Sequence, residues 1–381
     1  MKPLSDIFVL DLTHVLAGPY CTMQLLHLGA RVVKVEIPGI GDDSRAYGPF
    51  IGSESGYFAS LNHGKESIAL DLKDPGDREI FERLLLRADI LVENFRPGTM
   101  ARLGYGWDDL KINHPRLIYA AISGFGQTGP YAHRPAYDMI VQAMSGMMSL
   151  TGYPDQPPAR VGISIGDIGA GIFAGMGIIA ALYERQKSGM GRFIDISMLD
   201  CQVAMLENAL ARYFATGTIP HREGSHHPSI APFGTFQTSD KPIVIACGND
   251  HLFKIFASEL GHAEWCEDAR FRTNDLRATH LSLLQEEIEN ELRKQPAEIW
   301  LRRLANASIP CGPINDIGDI VVDPQLAHRK MILPVVDSRM VDFRIAGSPI
   351  KYSSDIPLEV MPSIPKLDEH RNKLLTELGL K

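Results

Sequence analysis

The chain has 381 residues, of which 45% are hydrophobic and 22% are charged, a composition typical of globular proteins. This length predicts more than one domain. The net charge of -8 argues against a general nucleic-acid-binding protein, because phosphate backbones require a basic surface.

Cysteine usage and the N-terminus favour a reducing compartment. The five cysteines are scattered and form no C-x-x-C pair, which argues against both a disulfide framework and a zinc site. The N-terminus lacks the apolar region of a signal peptide. The longest weakly polar run, 168–183, is shorter than the roughly 20 residues that span a membrane. We therefore expect a cytoplasmic protein with no membrane partner and no metal.

Strand and helix patterns alternate along the first half of the chain. Strands are predicted at 7–12, 31–37, 66–72, 89–95 and 116–126, with helical patterns between several of them. Such alternation predicts an α/β fold with a parallel sheet and helices on both faces. Ligands of such sheets bind at the carboxyl ends of the strands.

The second half of the chain changes character. A buried helix is predicted over 170–189 and a strand over 192–200, after which 216–236 is rich in Pro, Gly, Ser and His. The composition predicts three parts: a first segment of the large domain at 1–215, a linker and smaller domain at 216–308, and a return to the large domain with a terminal helix at 309–381.

One segment of the sequence is a candidate phosphate-binding site. No G-x-G-x-x-G follows the first strand, and G-x-x-x-x-G-K-[ST] does not occur. In contrast, ENFRPGTMARLG follows a predicted strand and contains Asn94, Arg96 and Arg102. Guanidinium groups and the N–H groups of a helix N-terminus suit phosphate. A solvated loop is the alternative interpretation.

Histidine and serine motifs are less informative. His14 lies at the end of the first strand, and His226 and His227 lie in the linker, but no third ligand stands at metal-binding spacing. A packed or hydrogen-bonded histidine is the alternative for each. A G-x-S-x-G match is centred on Ser164, yet the proline-rich stretch before it does not predict the strand that a hydrolase elbow requires.

Asp167 is the only charged side chain between Arg160 and Glu184. Burying an unpaired charge is costly, so a carboxylate in the run GISIGDIGAG needs an explanation. One interpretation is a helix N-cap, since the residue immediately precedes the predicted helix. The other is a carboxylate nucleophile. With a free pKa of about 3.9, or even about two units higher, it would be mostly ionised at pH 7 and would attack without a general base.

The chain resembles the family III CoA-transferases over nearly its whole length, and among them the formyl-CoA and acetyl-CoA:oxalate CoA-transferases. The motifs that carry the resemblance are, in order, LDLTHVLAGP, GARVVKVEIPGIGDDSR, NHGKESIALDLK, ENFRPGTMARLG, ISGFGQTGP, AYDMIVQAMSG, PPARVGISIGDIGAG, ALYERQKSGMGRFIDISMLD, HHPSIAPF and IPCGPI. The resemblance implies a Rossmann-like large domain built from both chain ends, a smaller α/β domain, and an interlocked homodimer. It also implies CoA thioesters and a small carboxylic acid as substrates, with no permanently bound cofactor.

The resemblance assigns roles to individual residues. Asp167 matches the nucleophile, which takes first the acyl group as a mixed anhydride and then CoA as an aspartyl thioester. His14 matches an active-site histidine. The residues that match CoA-binding segments are Val15, Leu16, Ala17, Leu72, Lys73, Asn94, Phe95, Arg96, Arg102 and Tyr137. The candidates for contact with the second substrate are His14, His227, Gly248 and Asn249, of which the last two lie in ACGND, the counterpart of a glycine-rich loop.

Departures from the family pattern bear on the substrates. Leu16 replaces a glutamine of the formyl-CoA:oxalate enzymes and Ile37 replaces an arginine, so acetyl-CoA is favoured as the donor, with formyl-CoA as the alternative. The resemblance to the oxalate enzymes implies oxalate as the acceptor. Transferases with succinate or carnitine as acceptor are alternatives. The 2-methylacyl-CoA racemases carry Gly-His-Asp where this chain has Ala136-Tyr137-Asp138, which leaves their acid–base pair incomplete. A non-catalytic CoA-binding protein is a further alternative.

Overall fold

A computed structural model of the chain describes residues 2–353 and 358–380. The chain forms two compact units. The larger unit comprises Met1–Met148, Arg160–Thr218 and Pro324–Lys381, and the smaller comprises Ser149–Ala159 and Ile219–Asp323.

The first predicted boundary, at residue 215, lies three residues before the observed one at Thr218, and the prediction differs more strongly in two other places. The chain returns to the larger unit at Pro324 rather than at residue 309, because Cys311–Pro313 pairs with the strand Pro242–Ala246 of the smaller unit. The segment Ser149–Ala159 also belongs to the smaller unit, where the Arg222 guanidinium donates hydrogen bonds to its backbone carbonyl groups.

Strands and helices follow each other as the alternation predicts in the first half of the chain. The strands are β1 Phe8–Asp11, β2 Arg31–Glu36, β3 Phe50–Ile51, β4 Glu54–Ser55, β5 Glu66–Ala69, β6 Ile90–Glu93, β7 Ile118–Ser123, β8 Phe193–Ser197, β9 Phe233–Gln237, β10 Pro242–Ala246, β11 Cys311–Pro313, β12 Ile332–Pro334 and β13 Arg344–Ala346. The α-helices are α1 Ala17–His27, α2 Gly56–Asn62, α3 Pro75–Leu85, α4 Thr99–Arg102, α5 Trp107–Asn113, α6 Asp138–Met144, α7 Met147–Leu150, α8 Ile165–Ser188, α9 Met198–Ala204, α10 Ala209–Thr216, α11 Asp250–Leu260, α12 Asn274–Thr279, α13 Leu281–Leu292, α14 Ala297–Asn306, α15 Ile317–Val321, α16 Pro324–His328 and α17 Arg371–Leu378.

The larger unit is built on a parallel sheet, as predicted. Its six strands lie in the order β5-β2-β1-β6-β7-β8, and each neighbouring pair is parallel. From β1 the chain proceeds outward through β2 to β5, and from β6 it proceeds outward in the opposite direction. The turns that follow β1 and β6 therefore diverge and leave a crevice at the carboxyl edge, where ligands of open α/β sheets bind.

Helices cover both faces of this sheet, so apolar side chains of its central strands are buried on both faces. Successive side chains of a strand point to opposite faces. Val9 accordingly packs with α1 and α8 on one face, whereas Leu10 packs with α3 and α17 on the other. In the smaller unit, the antiparallel sheet β11-β10-β9 covers a separate core that includes Phe236, Phe253 and Trp300.

Helix α8 is the most apolar long helix of the larger unit. Within residues 2–353 and 358–380, it is the one helix whose length and composition would allow it to cross a membrane. Half of its most apolar window is nevertheless buried inside the protein, and core helices meet the same criterion. The absence of a membrane partner remains a prediction from the sequence.

Glycine lets α8 approach α1 closely. A Cβ atom added at Gly171 would lie 2.8 Å from the carbonyl oxygen of Ala17 and 3.2 Å from the backbone nitrogen of Cys21. Both obstacles are backbone atoms, so they cannot turn away as a flexible side chain would. The position of α1 under the carboxyl edge of the sheet therefore depends on this glycine.

We expect Gly171→Ala to lower the free energy of unfolding by about 1–3 kcal/mol, because α1 must shift away from α8. Gly175→Ala is the matched control, since no atom lies within 4 Å of its added Cβ. Alanine there should raise the free energy of unfolding by up to about 1 kcal/mol through helix propensity. Urea unfolding followed by circular dichroism measures both, and equal stability of the two variants would contradict the close contact.

Candidate active site

The turn between β1 and α1 is held by hydrogen bonds from two sides. Val15 has φ 64°, a left-handed conformation that is unfavourable for a β-branched residue. Its N–H donates to Asp42 Oδ1 at 3.0 Å. Asn94 binds both backbone groups of His14: Oδ1 accepts from its N–H and Nδ2 donates to its carbonyl oxygen, each at 2.9 Å. Asn94 thus shapes the turn that carries Val15 and Leu16.

A buried ion pair lies beneath this turn. Lys34 is fully buried in β2, and its Nζ lies 2.8 Å from Asp42 Oδ2. The same Nζ donates to the carbonyl oxygen of Thr13 at 2.6 Å. Burial alone would lower the pKa of Lys34, but the carboxylates around it raise the pKa above its ordinary value. The ammonium group therefore remains charged and holds the turn in place.

A second buried ion pair adjoins the first. Lys65 Nζ lies 3.0 Å from Asp11 Oδ2, and Asp11 Oδ1 accepts from the N–H of Thr13 at 2.9 Å. Burial opposes ionisation of Asp11, but the charges of Lys65 and Lys34 outweigh it and lower its pKa to about 2. Burial lowers the pKa of Lys65 to about 8. Removing one partner of such a pair typically costs about 3–5 kcal/mol, because the other charge stays buried and unpaired.

A cleft of ≈ 660 Å³ opens at the carboxyl edge of the sheet. It brings together four predicted residues: His14, Leu72, Lys73 and Phe95. The His14 and Phe95 rings are stacked, with centroids 5.9 Å apart. Ile37, which the sequence analysis noted as a departure, also lines the cleft. The cleft has the place and the size expected for a coenzyme site.

The remaining predicted CoA residues lie in turns and at helix ends of the larger unit. Arg96 is exposed in the turn after β6, and Arg102 is exposed at the end of α4, where its Nη2 donates to Thr99 Oγ1 at 2.9 Å. Thr99 lines the cleft. Ala17 is the first residue of α1 and is buried. Tyr137 precedes α6 and is 80% exposed.

Asp167 lies in the first turn of α8. The helix begins at Ile165 with Ser164 in the N-cap position, so the interpretation of Asp167 as the N-cap is wrong. The helix begins earlier because the N–H of Gly166 is satisfied by Asp138 Oδ1 at 2.8 Å. Within the described residues, Asp167 forms no ion pair.

The surroundings of Asp167 change its ionisation. Burial, and after it the negative charge of Asp138, raise the pKa of Asp167 to about 7. The carboxyl group is then about half ionised at pH 7, rather than mostly ionised as the sequence analysis expects. A carboxylate of higher pKa is also a stronger base, and hence a better nucleophile once ionised.

Tyr57 is a candidate site residue that sequence reasoning missed. Burial and the charge of Asp167 raise the pKa of Tyr57 to about 12, so its hydroxyl stays protonated. Its ring packs edge-on against Tyr47, with centroids 5.8 Å apart. Burial and the charge of Asp43 raise the pKa of Tyr47, and Asp43 lines the cleft. The pKa of Tyr57 thus responds to the charge of Asp167, a coupling that no motif in the sequence indicates.

The other predicted substrate residues belong to the smaller unit. His227 stacks on Phe233 with centroids 5.2 Å apart, and its Nδ1 accepts from the N–H of Ser229 at 3.2 Å. Asn249 caps α11, since its Oδ1 accepts from the N–H of Leu252 at 2.9 Å. Gly248 is exposed and has open space at its Cα. Their role toward a substrate remains a prediction.

The described residues contain no group of three His, Cys, Asp or Glu side chains that could hold a metal ion.

Comparison with known proteins covers the whole chain. Residues 4–371 match CoA-transferase family III. The chain is 49% identical to the acetyl-CoA:oxalate CoA-transferase of Acetobacter aceti, over 99% of this chain and 96% of that protein. It is 38% identical to the succinyl-CoA:glutarate CoA-transferase of Mus musculus, over 99% of this chain and 87% of that protein.

Solved structures agree with this assignment. The crystal structure of a CAIB/BAIF family protein from Brucella suis superposes with a TM-score of 0.87 at 38% identity, over 99% of both chains. The match covers the sheet, the turn after β1 and the first turn of α8, and it confirms the resemblance read from the motifs. The chain therefore belongs to CoA-transferase family III.

Proposed function

We propose that the protein transfers CoA from acetyl-CoA to oxalate, with Asp167 as the covalent carrier. The observation that carries the proposal is the Asp167 carboxyl group, which lies partly buried in the first turn of α8 with a pKa raised to about 7. The 49% identity to an acetyl-CoA:oxalate CoA-transferase supports this donor and acceptor.

The proposed reaction conserves the energy of the thioester. The Asp167 carboxylate attacks the acetyl-CoA carbonyl, which forms a mixed anhydride and releases CoA thiolate. The thiolate attacks the aspartyl carbonyl, which forms an aspartyl-CoA thioester and releases acetate. Oxalate then attacks this thioester and gives a second anhydride and thiolate, and the thiolate attacks the oxalyl carbonyl. Oxalyl-CoA leaves and Asp167 is regenerated, so no ATP is needed.

The cleft and the turn after β1 supply the coenzyme site in this proposal. Lys73 offers a cation at the cleft, and the exposed Arg96 and Arg102 offer guanidinium groups for phosphate. Phe95 and His14 offer stacked rings. The protonated hydroxyl of Tyr57, whose pKa responds to the charge of Asp167, is proposed as a donor for the oxygen atoms that become negatively charged during the reaction.

Another acceptor is the second candidate. Identity of 38% to a succinyl-CoA:glutarate CoA-transferase favours dicarboxylates longer than oxalate. A racemase would need a base in place of Tyr137, whose phenol is exposed before α6. A protein that only binds CoA would not require a carboxyl group, such as that of Asp167, whose pKa is raised toward neutrality.

The protein is also proposed to act as an interlocked homodimer in a reducing cytoplasm. Helix α8 exposes a row of apolar side chains, Ile172, Met176, Ile179 and Tyr183, whose spacing places them on one face. A contiguous apolar face of this kind favours contact with another protein surface. All five cysteines are free thiols, as a reducing compartment requires.

The first test offers acetyl-, formyl- and succinyl-CoA to oxalate, glutarate, succinate and carnitine, and identifies the new thioester by mass spectrometry. We expect oxalyl-CoA from acetyl-CoA as the fastest product. Asp167→Ala should lower the rate at least about 10⁴-fold, because the covalent carrier is lost, while CoA binding measured by calorimetry stays within about threefold. Faster transfer to glutarate than to oxalate would replace the acceptor, and full activity of Asp167→Ala would contradict the mechanism.

The pH dependence gives a second test. Asp167 attacks only when ionised, so kcat/KM for the acyl-CoA should rise with pH through about 7 and level off above that value. A carboxyl group with the ordinary pKa of about 3.9 would give a flat profile from about pH 6 upward. CoA binding measured over the same range serves as the control. A flat profile with constant CoA binding would contradict a raised pKa of the attacking group.

The dimer proposal predicts that the chain sediments at twice its own mass. Chains that thread through each other cannot separate while folded, so dilution alone should release no monomer. In a urea gradient, the loss of the dimer in sedimentation should coincide with unfolding followed by circular dichroism. A folded monomer at any protein concentration would contradict the interlocked arrangement.

A further inference from the structure

A second carboxylate lies directly behind the first turn of α8. Asp138, the first residue of α6, is 6% exposed. Its Oδ1 accepts from the N–H of Gly166 at 2.8 Å, and its Oδ2 accepts from Gln142 Nε2 at 2.7 Å. Within residues 2–353 and 358–380 it forms no ion pair, so its charge is balanced by neutral donors alone.

Asp138 performs the task that a capping residue of α8 would normally perform. Ser164 occupies the N-cap position but makes no side-chain hydrogen bond to the first turn. The N–H of Gly166, one of the donors that an N-cap side chain usually satisfies, is bound by Asp138 from another helix instead. The nucleophile follows Gly166 directly in the chain, so this bond fixes the backbone beside it.

Buried amides hold Asp138 and the approach to α8. Gln142 is fully buried, and its Oε1 accepts from the N–H of Val161 at 2.9 Å, in the segment that leads into α8. Gln202 of α9 is also fully buried, and its Nε2 has no hydrogen-bond partner. A Cβ added at Gly166 would lie 2.3 Å from that Nε2 and 3.0 Å from Asp138 Oδ1. A larger residue at position 166 would therefore require the Gln202 side chain to move.

We propose that Asp138 is a positioning residue for the transfer reaction: its buried carboxylate binds the Gly166 N–H, fixes the first turn of α8, and opposes Asp167 with an unpaired negative charge. The inference rests on the proposed function, in which Asp167 carries the acyl group and CoA. Asp138 itself does not touch the substrate. It acts through the backbone and through the electrostatic potential at Asp167.

Two consequences for Asp167 follow. The fixed turn restricts where its carboxylate points, and misplacement of a reacting group by about 1 Å can cost about 100-fold in rate. The charge of Asp138 keeps Asp167 basic, in the same direction as burial. The titratable groups coupled to Asp167 are Asp138 on α6 and Tyr57 on α2.

The structure indicates a pair of variants that separate hydrogen bonding from charge. In Asp138→Asn, the amide can still accept from Gly166, but its Nδ2 then faces Gln142 Nε2, which is also a donor. If the Gln142 side-chain amide flips, its Nε2 faces the N–H of Val161 instead. In either orientation of this amide, one N–H group therefore has no acceptor. Adding Gln142→Glu supplies acceptors to both Nδ2 and Val161, which completes the network and moves the charge away from Gly166.

The kinetic test compares wild type, Asp138→Asn, Asp138→Asn with Gln142→Glu, and Asp200→Asn, which removes an exposed carboxylate from α9. For Asp138→Asn we expect kcat to fall at least about 10-fold with KM for the acyl-CoA within about threefold. The midpoint of the pH profile should move to lower pH by about half to one unit, because a negative charge is removed. The double variant should recover kcat to within about threefold of wild type, and Asp200→Asn should match wild type.

Several results would overturn the proposal. The first is an Asp138→Asn variant that matches Asp200→Asn in kcat and in pH midpoint. The second is an Asp138→Asn variant with a changed KM for the acyl-CoA but an unchanged kcat. The third is a double variant that folds but recovers no kcat. If Asp138→Asn does not fold, the double variant decides, because its hydrogen bonds are complete: a folded double variant whose kcat stays at least about 10-fold below that of wild type would refute the positioning role.

A readout without turnover separates this inference from the proposed function. Infrared difference titration, with Asp167→Asn as the reference, follows protonation of the 167 carboxyl group directly. A lower midpoint in Asp138→Asn supports the electrostatic role even in a protein that transfers CoA to none of the acids offered. An unchanged midpoint in an enzyme that does transfer CoA refutes the role of Asp138 and leaves the proposed function intact.

Discussion

The buried ion pairs beneath the turn after β1 are the constraint on which the cleft at the carboxyl edge of the sheet depends. Lys34 and Asp42 bind this turn from below, at the carbonyl oxygen of Thr13 and at the N–H of Val15. The second pair, Lys65 with Asp11, holds the end of β1. Apolar side chains beneath the turn would pack equally well. They could not form hydrogen bonds with the backbone N–H and carbonyl groups of a turn that contains a left-handed valine. The position of His14 and the floor of the cleft follow from these contacts.

The two ends of the candidate site are built by different means. The side proposed to bind CoA consists of turns at the carboxyl edge of the sheet, whose shape is set by buried charges. The side proposed to carry the nucleophile is the first turn of a long helix, which is held by the close glycine contact with α1 and by the Asp138 side chain of α6. Because different residues hold the two sides, the turns at the carboxyl edge can differ between substrates while the Asp167 carboxylate keeps its position.

Part of this arrangement could be predicted from the sequence. Short apolar strands alternating with helices specify a parallel sheet, because only a sheet buried on both faces needs such strands, and the residues after β1 and β6 had to meet at its carboxyl edge. The start of α8 could not be predicted, since the group that satisfies Gly166 comes from Asp138, 28 residues earlier. The role of Tyr57 could not be predicted for the same reason, because its proximity to Asp167 is a property of the folded chain and not of any local sequence pattern.

The larger unit also has a consequence for how the chain is made. Leu374 and Leu378 of α17 lie in the same core as Phe81 of α3, so residues near the end of the chain complete a core begun near its start. A ribosome releases the N-terminal strands long before that helix, whereas the smaller unit emerges complete in between. During synthesis, the apolar face that α17 covers in the folded protein therefore stays exposed until the end of the chain has been made, and exposed apolar surface of this kind is prone to aggregation.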